Sequence, residues 1–313
     1  MPNWSDVLNK IRQEMDEHGR LGMAAPDNVR RAYLDKLFKY THRNVIAYYS
    51  GFLSKPGILQ ADINDEDKNG FMMAIHRLDR AKGLDLMLHT PGGSIAATQS
   101  IVNYLHQMFG NDIRAIVPQI AMSAGAMMAC SCQKIVMAKH SNLGPIDPHL
   151  NGIPAAGVIR EFRRACKEVK GDPSTTALWQ AIIGQYRPTF LSQCENAISW
   201  SNSFVREQLT NVMFQDKRNA KDRARRIVRA LSSYSANKTH NRHIHFDECK
   251  AIGLDVDPLE DDAELQDLVL TVHHCYMHSL MNTPSFKIIE NHLGTALVKR
   301  QAEVTIQGQP RLS

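Results

Sequence analysis

The order of short apolar runs and amphipathic stretches between residues 44 and 138 predicts an α/β fold, a parallel sheet covered by helices. Three observations carry this expectation. Residues 84–88 (LDLML) form a nearly continuous apolar run, as expected of a strand buried on both faces. Strand and helix patterns then alternate with short links, which implies right-handed crossovers between parallel strands. After Pro154 the pattern turns almost wholly helical.

Each element has a local reason. Residues 4–20 and 27–41 read as helices; in the second, Val29, Tyr33, Leu34 and Leu37 recur at helical spacing, with Asp27 or Asn28 as N-cap. Residues 44–50 (NVIAYYS) are rich in β-branched and aromatic side chains and end at Gly51, so they read as a strand. Residues 64–80 place Phe71, Met72, Ile75 and Leu78 on one helical face. A Pro91-Gly92-Gly93 turn leads into a helix over 94–109 that stops at Gly110. A strand at 113–117, a helix from about Ser123 and a strand at 134–138 complete the alternation. Helices are expected over 155–169, 174–185, 190–213, 215–231 and 262–281. Residues 1–41 read as an N-terminal helical segment and 42–313 as the main domain.

Composition narrows the function classes. The 313 residues are 22% charged and 43% hydrophobic, the profile of a folded globular chain and not of a disordered or fibrous one. A formal net charge of +5 is too small to imply nucleic acid or an anionic membrane as a partner. Six cysteines without a paired zinc-type array suit a reducing compartment. The polar beginning of the chain lacks the apolar core of a targeting segment, and residues 113–132 are too interrupted to span a membrane. A cytoplasmic location is the expectation.

The chemistry concentrates in two motifs at the C-terminal ends of neighbouring strands, His89-Thr-Pro-Gly-Gly93 and Ala121-Met-Ser-Ala-Gly-Ala126. Open α/β sheets place their ligands at such ends. Ser123 would start a helix with only Ala and Gly beside it, so a substrate can approach its hydroxyl, and the unpaired N–H groups of the first turn favour negative charge there. Gly93 can aim its own N–H from the facing turn. Two amides converging near a serine oxygen make an oxyanion hole, worth about 3–4 kcal/mol per donor in the transition state. Taken singly, each motif also reads as ordinary structure: a turn, and a helix start with a serine cap.

With HSNLGPIDPHL following, these motifs resemble the Clp-fold serine peptidases, and among them the serine dehydrogenase proteinases, relatives of signal peptide peptidase A and the caseinolytic Clp protease. YYSGF, QYRPTFLSQCENAI, HIHFDECKAIGLDV and SFKIIENH extend the resemblance from about residue 40 to about 300. It implies a Clp/crotonase-like repeated β-β-α superhelix with helical elaborations at both ends. It also implies Ser123 as nucleophile, Gly93 and Ala124 as oxyanion-hole donors, and Gly92 beside the substrate. Relatives of this kind use a histidine or a lysine as general base. At the corresponding place this chain has Asp147, with His149 two residues on; Lys55, Lys167 and Lys170 are the more distant alternatives.

The activity so implied is peptide hydrolysis on a peptide or protein substrate, without cofactor or metal. A homo-oligomer is expected, and membrane association only through the substrate. The alternatives are a non-catalytic oligomeric scaffold and a crotonase-like enzyme acting on acyl-CoA thioesters. Other clusters weigh less. His240, His243 and His245 resemble a metal group only superficially; His273, His274 and His278 read as a solvated helical face. The basic run Lys217, Arg218, Lys221, Arg223, Arg225, Arg226 and Arg229 reads as a solvated helix, with a partner surface as the alternative. Cys130 and Cys132 are expected in the core.

Overall fold

The structure, a computed structural model, describes residues 4–18, 25–233 and 237–301. Helices α1 (Trp4–His18) and α2 (Ala25–Thr41) precede β1 (Asn44–Ser50). Then come α3 (Asp67–Ile75), β2 (Leu84–His89), α4 (Ile95–Phe109), β3 (Ile113–Val117), β4 (Ile120–Ala121), α5 (Ala124–Cys130), β5 (Lys134–Met137) and β6 (Asn142–Leu143). A small hairpin of β7 (His149–Leu150) and β8 (Ile153–Pro154) opens the helical half: α6 (Ala155–Gly171), α7 (Thr176–Ile183), α8 (Phe190–Gln208) and α9 (Ala220–Leu231). The described chain ends with β9 (Ile244–His245), α10 (Phe246–Ile252), β10 (Val256–Pro258), α11 (Ala263–Asn282), β11 (Ser285–Asn291) and β12 (Ala296–Arg300).

Seven strands form the main sheet in the order β10-β5-β3-β2-β1-β11-β12. The first five are parallel, as the alternation of elements requires. The expectation of a purely parallel sheet is corrected at the other edge, where β11 pairs antiparallel with β1 and β12 with β11. All seven residues of β11 (SFKIIEN) are buried, two of them charged. Lys287 lies 3.0 Å from Asp67, and Glu290 accepts from Arg30, from Arg31 at 2.9 Å and from the Tyr276 hydroxyl at 3.1 Å. A buried charge is tolerated only when paired in this way.

Alternation along the strands sends side chains into two cores. Leu84, Leu86 and Leu88 join the larger one, beneath α3, α4, α5, α8 and α9. Val45, Ala47, Tyr49 and Met87 join the other, beneath α1, α2 and α11. His89 falls on this second side by parity.

Several boundaries differ from expectation. The helix foreseen over 64–80 is confined to Asp67–Ile75, because His76 leaves helical geometry (φ −57°, ψ 129°) and Asp79 caps a separate short turn at 80–82. Asp27 lies inside the first turn of α2, 2.7 Å from Arg30, and is not its N-cap. The helix foreseen over 190–213 widens into a π-turn at Leu209–Met213. His273 and His278 are buried, against the expected solvated face. Cys130 and Cys132 are buried as expected, and burial pushes both thiols up to about 12. In the basic run, α9 buries Ala220, Ala224, Ile227, Val228 and Leu231, while Arg223 spreads over the Phe214 ring and donates to the Gly253 carbonyl at 3.1 Å.

Candidate active site

Ser123 sits where β4 turns into α5, and backbone pairing fixes that turn. Thr90, just past β2, bridges Ala121: its N–H donates to the Ile120 carbonyl at 3.2 Å, and its carbonyl accepts from Met122 at 3.0 Å. The other side of β4 pairs with β6, and the Gly144 N–H donates to the Ala121 carbonyl at 3.0 Å. Held between these partners, Ser123 takes φ 51° and ψ −117°. That is a strained position for a residue other than glycine, of the kind that costs about 1–3 kcal/mol and clusters at functional sites. A sharp strand-to-helix turn of this sort presents a nucleophilic serine. The Ser123 side chain makes no capping hydrogen bond to the helix that it starts.

The facing glycine turn is equally constrained. Gly92 has φ +97°, and a Cβ there would lie 2.6 Å from the Ser123 Cβ and 3.0 Å from the Ala124 nitrogen. Gly93 bridges Ile63, whose N–H donates to the Gly92 carbonyl at 2.7 Å and whose carbonyl accepts from Ser94 at 2.8 Å. A Cβ on Gly93 would stand 2.3 Å from the Ile63 backbone. In a parallel bridge of this register the Gly93 amide points away from Ile63. Ala124 is the first residue of α5, so its amide has no partner within the helix. Neither amide donates to a described residue. Gly125 is required for a different contact: its Cβ would meet the Thr90 methyl at 2.4 Å.

A cleft of about 230 Å³ opens over this turn, lined by Ser123, Gly92, Gly93, Pro148, His149 and His240 among others. Asp147 lies behind its wall, 2% exposed. The Asp147 segment is anchored by the neighbouring helices: the Ile146 N–H donates to the Leu231 carbonyl at 3.0 Å, and the Ser201 hydroxyl donates to the Ile146 carbonyl at 2.7 Å. The His240 Nδ1 is 3.0 Å from Asp147 Oδ1, and the His149 Nε2 is 3.6 Å from Asp147 Oδ2. The two imidazoles pack with ring centroids 4.1 Å apart. Burial lowers the pKa of His149, the neighbouring His240 adds to this, and Asp147 opposes it.

The structure thus brings Ser123, Gly92, Gly93, Ala124, Asp147 and His149 to one place and adds His240. The only signal for His240 in the sequence was its presence in HNRHIH, whose other histidines, His243 and His245, are exposed and separate from it. Of the lysines considered as bases, none lines the cleft. Lys55 donates to the Leu280 carbonyl, and Lys167 and Lys170 are exposed on α6.

Two uncharacterized proteins of Methanocaldococcus jannaschii are similar to this chain. One is 30% identical over 195 residues, 62% of this chain and 60% of that protein. The other is 26% identical over 194 residues, 62% of this chain and 59% of its own length. The matched part is thus somewhat less than two thirds of either relative. A family model for ClpP-like SDH-type serine proteinases matches residues 43–294, which include β1, both glycine and serine turns, and the strands through β11. With the mixed α/β architecture and the serine turn described above, the chain belongs to the ClpP-like SDH-type serine proteinase family.

Proposed function

We propose that this protein is a serine peptidase in which Ser123 attacks the substrate carbonyl and His240, held by Asp147, accepts the serine proton. One observation carries the reading: a serine on a strained turn shares a cleft with a histidine whose Nδ1 is held by a buried carboxylate. That contact fixes the neutral imidazole with its proton on Nδ1, so Nε2 is the basic atom. The carboxylate also stabilises the imidazolium that forms when the proton arrives. Asp147 is then a positioning residue and not the base considered from the sequence, since it does not line the cleft. His149 packs on the base and shapes its surroundings.

Gly93 and Ala124 supply the amides for the developing oxyanion. Gly92 stays small because a side chain there would occupy the space of the nucleophile. The returning proton goes from His240 to the leaving amine, and water repeats the sequence on the acyl-enzyme. Self-association is part of the proposal and follows from the family. No helix among the described residues is long and apolar enough to cross a membrane.

The test is labelling with a fluorophosphonate probe, the adduct located by mass spectrometry. Labelling on Ser123 that disappears in Ser123→Ala is expected. Equal labelling of both proteins, or none on folded protein, would remove the peptidase reading. Light scattering that finds a monomer at every concentration would remove the oligomer.

A further inference from the structure

We propose that Asp147, His149 and His240 also form a binding site for a divalent transition-metal ion of the zinc type, and that the ion switches the general base off. The site stands on its own geometry; its regulatory role rests on the reading of Ser123 and His240 given above.

Donor atoms of these three side chains lie within 4.8 Å of one another. Zinc–ligand distances of about 2.0–2.1 Å in a tetrahedral arrangement place neighbouring ligand atoms about 3.3 Å apart. The observed 3.0 Å from His240 Nδ1 to Asp147 Oδ1 and 3.6 Å from His149 Nε2 to Asp147 Oδ2 fall on either side of that spacing, each imidazole facing its own carboxylate oxygen. A second observation is independent of the first: the His149 Nε2 is buried and makes no hydrogen bond with a described residue. A buried imidazole nitrogen without a partner, aimed at a carboxylate just beyond hydrogen-bond reach, is satisfied by an ion between them. Two imidazoles and one carboxylate suit zinc or cobalt, whereas calcium and magnesium take sets of oxygen ligands. Three protein ligands leave a coordination position for water. The metal reading weighed from the sequence grouped His240 with His243 and His245, whereas the other two members of this set come from the segment at 147–149.

The conflict with catalysis is a matter of one proton. The base has its proton on Nδ1, toward Asp147. An ion bound at Nδ1 requires that lone pair, so the proton moves to Nε2 through solvent and the imidazole remains neutral. The Asp147 carboxylate changes from hydrogen-bond acceptor to ligand. Nε2 then carries a hydrogen and cannot accept the proton of Ser123.

The experiment uses the full chain, freed of metal by chelation and then titrated with cobalt, read by visible absorption, and with zinc, read by calorimetry. One ion per chain and a tetrahedral cobalt spectrum are expected, in wild type and equally in Ser123→Ala. His149→Gln should weaken binding by more than about 100-fold, the upper range for loss of a mere outer-shell partner. The surface variants His243→Ala and His245→Ala should leave it unchanged. Loss of binding in the surface variants, or undiminished binding in a folded His149→Gln, overturns the site. For the switch, zinc should slow fluorophosphonate labelling of wild type, and in His149→Gln the ratio of rates with and without zinc should return to one. Zinc that binds without slowing labelling overturns the switch alone. If Ser123 never labels, the switch falls with the peptidase reading, while the metal titration still decides the site.

Discussion

Two groups of histidines sit on opposite sides of the sheet near the end of β2, and they differ in what surrounds them. On one side His149 and His240 share the buried carboxylate of Asp147 and line a cleft with Ser123. On the other, His89, His140, His273 and His274 line a cavity of about 480 Å³ with Trp4, Leu270, Met277 and Met281. Among the described residues no carboxylate lines that cavity, and neither buried nitrogen of His89 has a hydrogen-bond partner. Burial alone pushes His89 down to about 3 and His273 well below the usual range, the latter helped by its histidine neighbours. The same residue type is therefore fit for the proposed role of base where a carboxylate fixes its tautomer, and is a neutral packing element where none does.

The strongest way to break this comparison is to remove the proposed base. His240→Gln should slow labelling of Ser123 by about 10^5-fold or more, the scale seen when a serine hydrolase loses its histidine. His149→Gln should cost far less, because its imidazole is not the one hydrogen-bonded to Asp147. Equal losses would reassign the base. Asp147→Asn keeps the shape but withdraws the charge and inverts the preferred tautomer, so a loss of about 10^4-fold in rate is expected. Circular dichroism should show an intact fold in each case. A change of less than tenfold in Asp147→Asn would leave the carboxylate a purely structural part.

Much of this was legible in the sequence, and the exceptions have physical causes. The strands at 44–50, 84–88 and 113–117 were readable because strands covered on both faces are almost continuously apolar. β11 was not, since Lys287 and Glu290 interrupt its apolar run and only the fold reveals Asp67, Arg30 and Arg31 as their partners. Ser123 and the glycines could be placed together because each turn is local in sequence and both follow neighbouring strands. His240 could not, because its contact with Asp147 spans 93 residues and depends on how the chain returns after α9. His273 and His278 were misplaced because an unpaired histidine on a helix reads as polar, whereas here burial keeps the imidazole neutral and its ring packs on Tyr49 or Trp4.

A smaller and more exacting test asks whether the second histidine group is as inert as its surroundings suggest. In the folded protein His89 titrates only near pH 3, whereas an unfolded histidine titrates near 6.5. Between these values the unfolded chain binds more protons, so the stability contributed by neutral His89 is present above about pH 6.5 and is lost as the pH falls. The loss is about 1.4 kcal/mol per pH unit, or about 2 kcal/mol by pH 5. His273, depressed in the same direction, adds a loss of the same sign. His89→Phe keeps an aromatic ring between Tyr49, Phe52 and His273 and removes both unpartnered nitrogens. Replacing a polar group left without partners by an apolar one of similar shape is near neutral or stabilising. The variant should therefore melt close to wild type at pH 7 and several degrees above it at pH 5. If the two melting temperatures fall in parallel on acidification, His89 does not carry the acid sensitivity. If His89→Phe instead abolishes labelling of Ser123, the histidine beneath the glycine turn takes part in the active site, and the contrast between the two faces disappears.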